Sequence, residues 1–247
     1  MRKLIENKNN FIDKMNEIKH NCSGKDFVVF GCGPSFNERT KEEMSSFCKD
    51  KVVVCIKQSY FRYRDICDIH FYNDNNLVEY EHGEDILTVT SSRLPYSKAK
   101  NQIWRNQRES DFHFEIQGYS FDETIASTNN FEINNISKCF NKTRWGPGII
   151  LECVFPFLSY VSPDNIYVLG WDYESPDIKG GFHMKHFYSN ENRDYFTRPA
   201  DKCWPEENAL LVRNSKFLND YFLKRNINLF VLSESSHVSS EIRRVKI

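Results

Sequence analysis

No stretch of this 247-residue chain approaches the roughly 20 apolar residues that a bilayer-crossing helix needs. The best run, residues 148–161, is 14 long and carries Glu152 and Pro156. The first 20 residues are polar and charged and lack the apolar centre of a signal peptide. These absences predict a cytoplasmic protein that does not span a membrane. Net charge is missing too: 33 basic against 34 acidic residues leave −1, so no global field recruits nucleic acid or an anionic bilayer. Eight cysteines (Cys22, Cys32, Cys48, Cys55, Cys67, Cys139, Cys153, Cys203) occur without a C-x-x-C pair. That spacing gives no zinc or redox motif, and reduced, mostly buried thiols are expected. No Gly-Lys-Ser/Thr occurs, which disfavours a kinase of the P-loop type.

What is present is core-forming material: 40% of residues are hydrophobic and 15% aromatic, enough for one large domain across residues 1–247. Leu4, Phe11, Ile12, Met15 and Ile18 recur at helical spacing and predict a helix over residues 4–19, broken at 21–25. Short apolar runs at 26–30, 51–56, 69–72, 86–90, 165–170 and 227–232 read as strands. Helical stretches are expected at 37–48, 148–159 and 208–225. Strand, glycine turn, helix, strand is a βαβ unit. The sum is an α/β fold, a single Rossmann-like, doubly wound and mostly parallel sheet. Residues 91–142 are polar and aromatic-rich and read as loops and short elements; residues 174–206 have the composition of a lid inserted before the last helix.

In an open parallel sheet, ligands gather at the carboxyl ends of the strands, so the residues following each strand are the candidates. After the first come Gly31, Cys32, Gly33, Pro34 and Ser35; after the second Lys57 and Gln58; after the third Asn73; after a later one Gly170, Trp171, Asp172 and Tyr173. Gly31 and Gly33 let the backbone approach a phosphate or sugar, and amides at the following helix start can hold negative charge. Equally, such glycines can serve only a tight strand-to-helix corner. Pro34 fixes the turn and Ser35 is placed to cap the helix. Asp172 has three readings: it holds ribose hydroxyls, acts as a nucleophile in a retaining transfer, or caps a helix.

These blocks resemble the bacterial sialyltransferases of glycosyltransferase family 42. Residues 31–36 look like the family's Gly-Asn-Gly-Pro-Ser-Leu turn, and 55–61 like its Arg-Cys-Asn-Gln-Phe-Tyr-Phe block. Phe71-Tyr72-Asn73 is identical to its Phe-Tyr-Asn. Arg144-Trp145-Gly146-Pro147-Gly148 stands where that family has Arg-Ile-Thr-Ser-Gly, and 166–173 resembles Ile-Tyr-Leu-Ser-Gly-Ile-Asp-Phe. The resemblance implies a variant of the GT-A type of fold. It further implies a CMP-activated sugar donor across the strand ends, no metal in the chemistry, and a glycan or glycolipid acceptor of the lipopolysaccharide or capsule kind. The turn 31–35 and Asn73 would hold the donor; Arg144, Gly146, Pro147, Gly148 and 170–173 would contact base, ribose or sugar. Cys32 and Lys57 stand where the family has asparagines, which leaves the donor open among sialic, legionaminic, pseudaminic and Kdo types.

An inverting transfer needs a base for the acceptor hydroxyl, and histidine suits that work near neutral pH. The family's histidine before the last helix has no counterpart in residues 204–208, so His186, flanked by aromatics in the lid, is the candidate, with an ordinary loop histidine as the other reading. Arg243, Arg244 and Lys246 form a basic tail, read first as a solvated end and second as a peripheral membrane contact. Aromatic surface in 91–140 is assigned to an acceptor or to a second subunit of a homo-oligomer. Two rivals share the glycine turn: an archaeal-type pterin diphosphokinase using ATP and magnesium, and a non-catalytic nucleotide-binding relative.

Overall fold

The computed structural model describes residues 4, 11–73, 78–93, 110–116, 139–140, 148–173 and 205–247. Nine strands form one sheet: β1 (Asp26–Phe30), β2 (Val52–Ile56), β3 (Ile69–Asn73), β4 (Leu87–Arg93), β5 (Phe112–Ile116), β6 (Cys139–Phe140), β7 (Asn165–Leu169), β8 (Asn228–Val231) and β9 (Arg243–Arg244). Their order is β6-β5-β4-β3-β2-β1-β7-β8-β9, and every pairing is parallel. The chain lays β1 to β6 outward toward one edge, then crosses back to place β7 on the other side of β1. The strand order therefore reverses between β1 and β7, and in a doubly wound sheet that reversal opens the ligand crevice.

β1 and β2 are buried along nearly their whole length because both faces of a central parallel sheet are covered. Alternation sorts their side chains. Phe27, Val29, Val54, Ile56, Ile166 and Val168 join α1 (Phe11–Cys22), α4 (Phe155–Val161) and α5 (Pro205–Leu223) in one core. Val28, Phe30, Val53, Cys55 and Tyr72 face α2 (Lys41–Phe47) and α3 (Ser59–Tyr63) in a second. Burial on this second face pushes the Cys48 thiol and the Tyr63 hydroxyl each up to about 12. Cys22, Cys32, Cys48, Cys55, Cys67 and Cys153 are buried and joined in no disulfide among the described residues, as expected of reduced thiols.

Several boundaries move. The first helix runs to Cys22, past the expected break, and stops at Ser23-Gly24. The expected helix over 37–48 is two elements: a 3-10 turn, Pro34–Glu38, and α2, which starts only at Lys41. Thr40 decides that start through a capping box, its hydroxyl accepting from the Glu43 amide (3.2 Å) while the Glu43 carboxylate accepts from the Thr40 amide (2.8 Å). Within 91–142, expected as loops and short elements, the described residues form β5 and β6, two short strands that gain a partner only once β4 is in place. The helix expected at 148–159 opens with a π-helical turn, Ile150–Val154. The basic tail is more than a solvated end: Arg243 and Lys246 are exposed, but Arg243–Arg244 pairs with β8, and Lys246 meets Glu234 at 3.0 Å. No helix among the described residues is long and apolar enough to cross a membrane.

Candidate functional site

The turn after β1 and the segment after β7 are stitched together at the switch point. The Gly31 amide donates to the Leu169 carbonyl (2.7 Å) and the Gly33 amide to the Gly170 carbonyl (2.9 Å). The Gly170 amide donates back to Ser35 Oγ (3.2 Å), and the Ser35 amide donates to Asp172 Oδ2 (2.7 Å). A Cβ on Gly31 would lie 2.8 Å from the Gly170 carbonyl carbon, and one on Gly33 would lie 2.7 Å from Asp172 Cγ. Gly170 itself sits at φ +81. These glycines are required by close approach of one strand end to the other, which is the corner reading of the motif. The amides of Gly31, Gly33 and Ser35 are occupied inside the protein, so the phosphate-cradle expectation does not describe this turn. Ser35 does not cap a helix as expected; it bonds Gly170, and the turn beyond it has no side-chain cap.

Asp172 takes the place an anion would occupy at the start of the 3-10 turn. Burial raises its proton affinity, the Ser35 hydroxyl and amide pull it down, Glu38 adds to the rise, and His237 opposes it. Its second oxygen, Oδ1, is buried and has no hydrogen-bond partner among the described residues. A buried acceptor without a donor is costly, and it suits a ligand hydroxyl or N–H.

The second wall is the end of β2. Ser59 Oγ accepts from the Ile56 amide (2.8 Å) and donates to the Phe30 carbonyl (2.8 Å), tying the ends of β1 and β2 together. Cys32 Sγ donates to the Ile56 carbonyl (3.1 Å) and lies 4.0 Å from Gln58 Oε1. Burial pushes the Cys32 thiol up, with the Lys57 charge pulling against it, so the packed thiol beside this cation is held toward its protonated form. Lys57 occupies the left-handed region, φ 48. Three bonds hold it there: its amide donates to the Phe71 carbonyl (2.8 Å), and its carbonyl accepts from the Tyr60 amide (3.1 Å) and from His70 Nε2 (3.0 Å). A carbonyl only accepts, so His70 carries its proton on Nε2 and its bare Nδ1 accepts from His82 Nε2 at 2.7 Å. Burial, then the neighbouring His82, holds His70 well below its ordinary value.

The structure thus brings together Gly31, Cys32, Gly33, Pro34, Ser35, Lys57, Gln58, Gly170 and Asp172. Asn73 ends β3, two strands from β1. Trp171 and Tyr173 turn into the core at 3% and 6% exposure, bonded Nε1 to OH at 2.9 Å, with Trp171 packed on Phe155. They are packing residues, not open stacking platforms. Gly148, at φ +105, opens the helix that returns from β6 toward the start of β7. His186, Arg144, Gly146, Pro147 and residues 174–204 of the proposed lid lie outside the described residues, while 205–206 already belong to α5.

Sequence reasoning missed one wall. The loop after β8 follows a strand end like the others, and the same rule applied to residues 232–238 would have found it. Glu38 accepts from Ser233 Oγ (2.9 Å), the Glu234 amide (3.0 Å) and Ser235 Oγ, and Arg39 donates to the Leu232 carbonyl (3.3 Å). Burial works to raise the Glu38 carboxyl, but these donors outweigh it and leave the group below its ordinary value.

Set against models of known protein families and against curated proteins, the chain matches none.

Proposed function

We propose that this chain is a glycosyltransferase moving a sialic-acid-like or Kdo-like sugar from a CMP-activated donor to a bacterial surface glycan. The observation that carries the reading is the crevice at the β1/β7 reversal, where Asp172 bonds Ser35 through one oxygen and leaves the other buried and without a partner among the described residues. That oxygen suits a ribose hydroxyl. On the neighbouring strand end the Lys57 charge, held by a strained backbone, suits the single phosphate of a CMP-sugar. Under this reading donor phosphate contacts come from Lys57 and Gln58, since the glycine-turn amides are already engaged. The ordered blocks shared with the sialyltransferases of family 42 supply the choice of nucleotide.

The reaction joins an acceptor hydroxyl oxygen to the anomeric carbon as the bond from that carbon to the CMP phosphate breaks. The test is calorimetric titration of the full chain with CMP, ADP and ATP, each with and without magnesium. Binding of CMP that is indifferent to magnesium, with no response to ATP, is the expected result. Magnesium-dependent ATP binding replaces the reading with the pterin diphosphokinase, and silence from all three replaces it with a non-catalytic relative.

A further inference from the structure

Between β3 and β4, residues 78–86 form a strap that is fastened to the sheet through rings. Tyr80 is buried in it and His82 half-buried. Tyr80 meets His70 of β3 edge-on, with centroids 4.6 Å apart, and the His82 ring stacks on Tyr72 at 5.5 Å and 19°. Tyr60 of α3 stacks on His70 at 4.4 Å and 17°, and its hydroxyl donates to the Glu81 carbonyl of the strap (2.7 Å). At the centre is the bond from His82 Nε2 to His70 Nδ1, 2.7 Å long, and His70 is fully buried. His70 Nε2 is committed to the Lys57 carbonyl at 3.0 Å.

We infer that the His70–His82 bond is an acid-sensitive latch, and that the strap 78–86 leaves the sheet once both imidazoles are charged. The inference is independent of the transferase reading. In the neutral pair each ring holds its proton on Nε2, and His82 Nδ1 carries none. The next proton goes to His82 Nδ1 and leaves both bonds of the pair intact. Only a further one must go to His70 Nδ1, the atom that accepts the latch bond, and then two N–H groups face each other and two cations share one site. Burial and the neighbouring His82 both oppose that last step, so it falls well below the ordinary histidine range. His70 keeps its Nε2 proton on the Lys57 carbonyl in either form, so the strap gives way while the turn after β2 stays.

The groups facing His70 are Lys57 from the end of β2, Tyr60 from α3, Tyr72 from its own strand, and Tyr80 and His82 from the strap. Cys55 of β2 and Thr88 of β4 are its neighbours in register. Arg62 of α3 turns to Asn37 and Phe36, Asp68 accepts from the Val53 amide, and Glu79, Glu81, Glu84 and Asp85 of the strap are exposed.

The experiment is an NMR titration of the full chain from about pH 7.5 down to about pH 4. It reads the imidazole nitrogen shifts of both histidines and the NOEs between the Tyr80 and His70 rings. His82 is expected to charge first with the ring contacts kept. The NOEs are then lost together with protonation of His70, while the amides of Val29 and Val54 in the sheet stay protected. In His82→Gln the side-chain amide can turn its oxygen toward a charged His70, so the NOEs should survive that protonation. Strap contacts that outlast protonation of His70 in the unmodified chain overturn the latch, as does a His70 that charges before His82 or stays neutral throughout. Loss of the NOEs in His82→Gln at the same pH, or release only when the sheet amides exchange as well, also overturns it. The unmodified chain decides the proton order and the release without the variant.

Discussion

The turns after β1 and β2 end neighbouring strands at the same crevice and solve the same geometric problem in opposite ways. After β1 the residues are glycine because other atoms fill the space where a side chain would stand, the Gly170 backbone at Gly31 and the Asp172 side chain at Gly33. After β2 the backbone adopts a conformation glycine prefers, φ 48, yet the residue is lysine. There the strain is retained with a charge attached. The contrast teaches that a glycine motif at a strand end can serve packing, while a left-handed backbone beside it can carry a charged residue.

The largest expected effect breaks the first turn. Gly31→Ala sets a methyl against the Gly170 carbonyl, which is backbone and cannot step aside. A loss of about 3 kcal/mol or more in urea-unfolding stability is expected, and a chain of unchanged stability refutes the close-packed corner. Gly33→Ala meets the Asp172 side chain instead and costs about 1–3 kcal/mol, by displacing that carboxylate from the Ser35 amide. In an Asp172→Ala background the Gly33→Ala penalty should vanish and the Gly31→Ala penalty persist; equal coupling for both would dissolve the distinction.

The second turn is probed more gently through His70. Its folded-state value lies below the ordinary 6.5, so between pH 6.5 and that lower value the unfolded chain binds a proton that the folded chain refuses. Stability is therefore expected to fall with pH below 6.5, by up to about 1.4 kcal/mol per unit. His70→Gln, which can still donate to the Lys57 carbonyl, should flatten that slope in urea midpoints taken from pH 6.5 down to about 5. A slope unchanged in the variant removes His70 as its source. Smallest is Lys57→Gly, which relieves the left-handed strain and should leave stability level or higher by up to about 1 kcal/mol. Calorimetry on the same variant should show weaker CMP binding; intact affinity detaches the lysine from the ligand.

Much of this was legible in the chain. The runs Asp26–Phe30, Val52–Ile56 and Asn165–Leu169 are continuous and apolar because central parallel strands are covered on both faces, and they stood out for that reason. The rule that ligands sit beyond strand carboxyl ends selected Gly31 to Ser35, Lys57 and Asp172 from spacing alone. β5 and β6 were not legible as strands, because such short strands owe their pairing to a neighbour and carry little pattern of their own. Nor was the role of Arg244, whose basic triplet reads as a solvated tail until its guanidinium is seen gathering four carbonyls.

Local pattern, which depends on neighbours a few residues apart, determined the α/β class, the parallel sheet and the candidate turns. Only the tertiary structure decided what those turns are for. Whether an amide is free for a ligand depends on atoms more than a hundred residues away, and Ser35 and Asp172, 137 positions apart, meet at 2.7 Å because β1 and β7 are adjacent in the sheet.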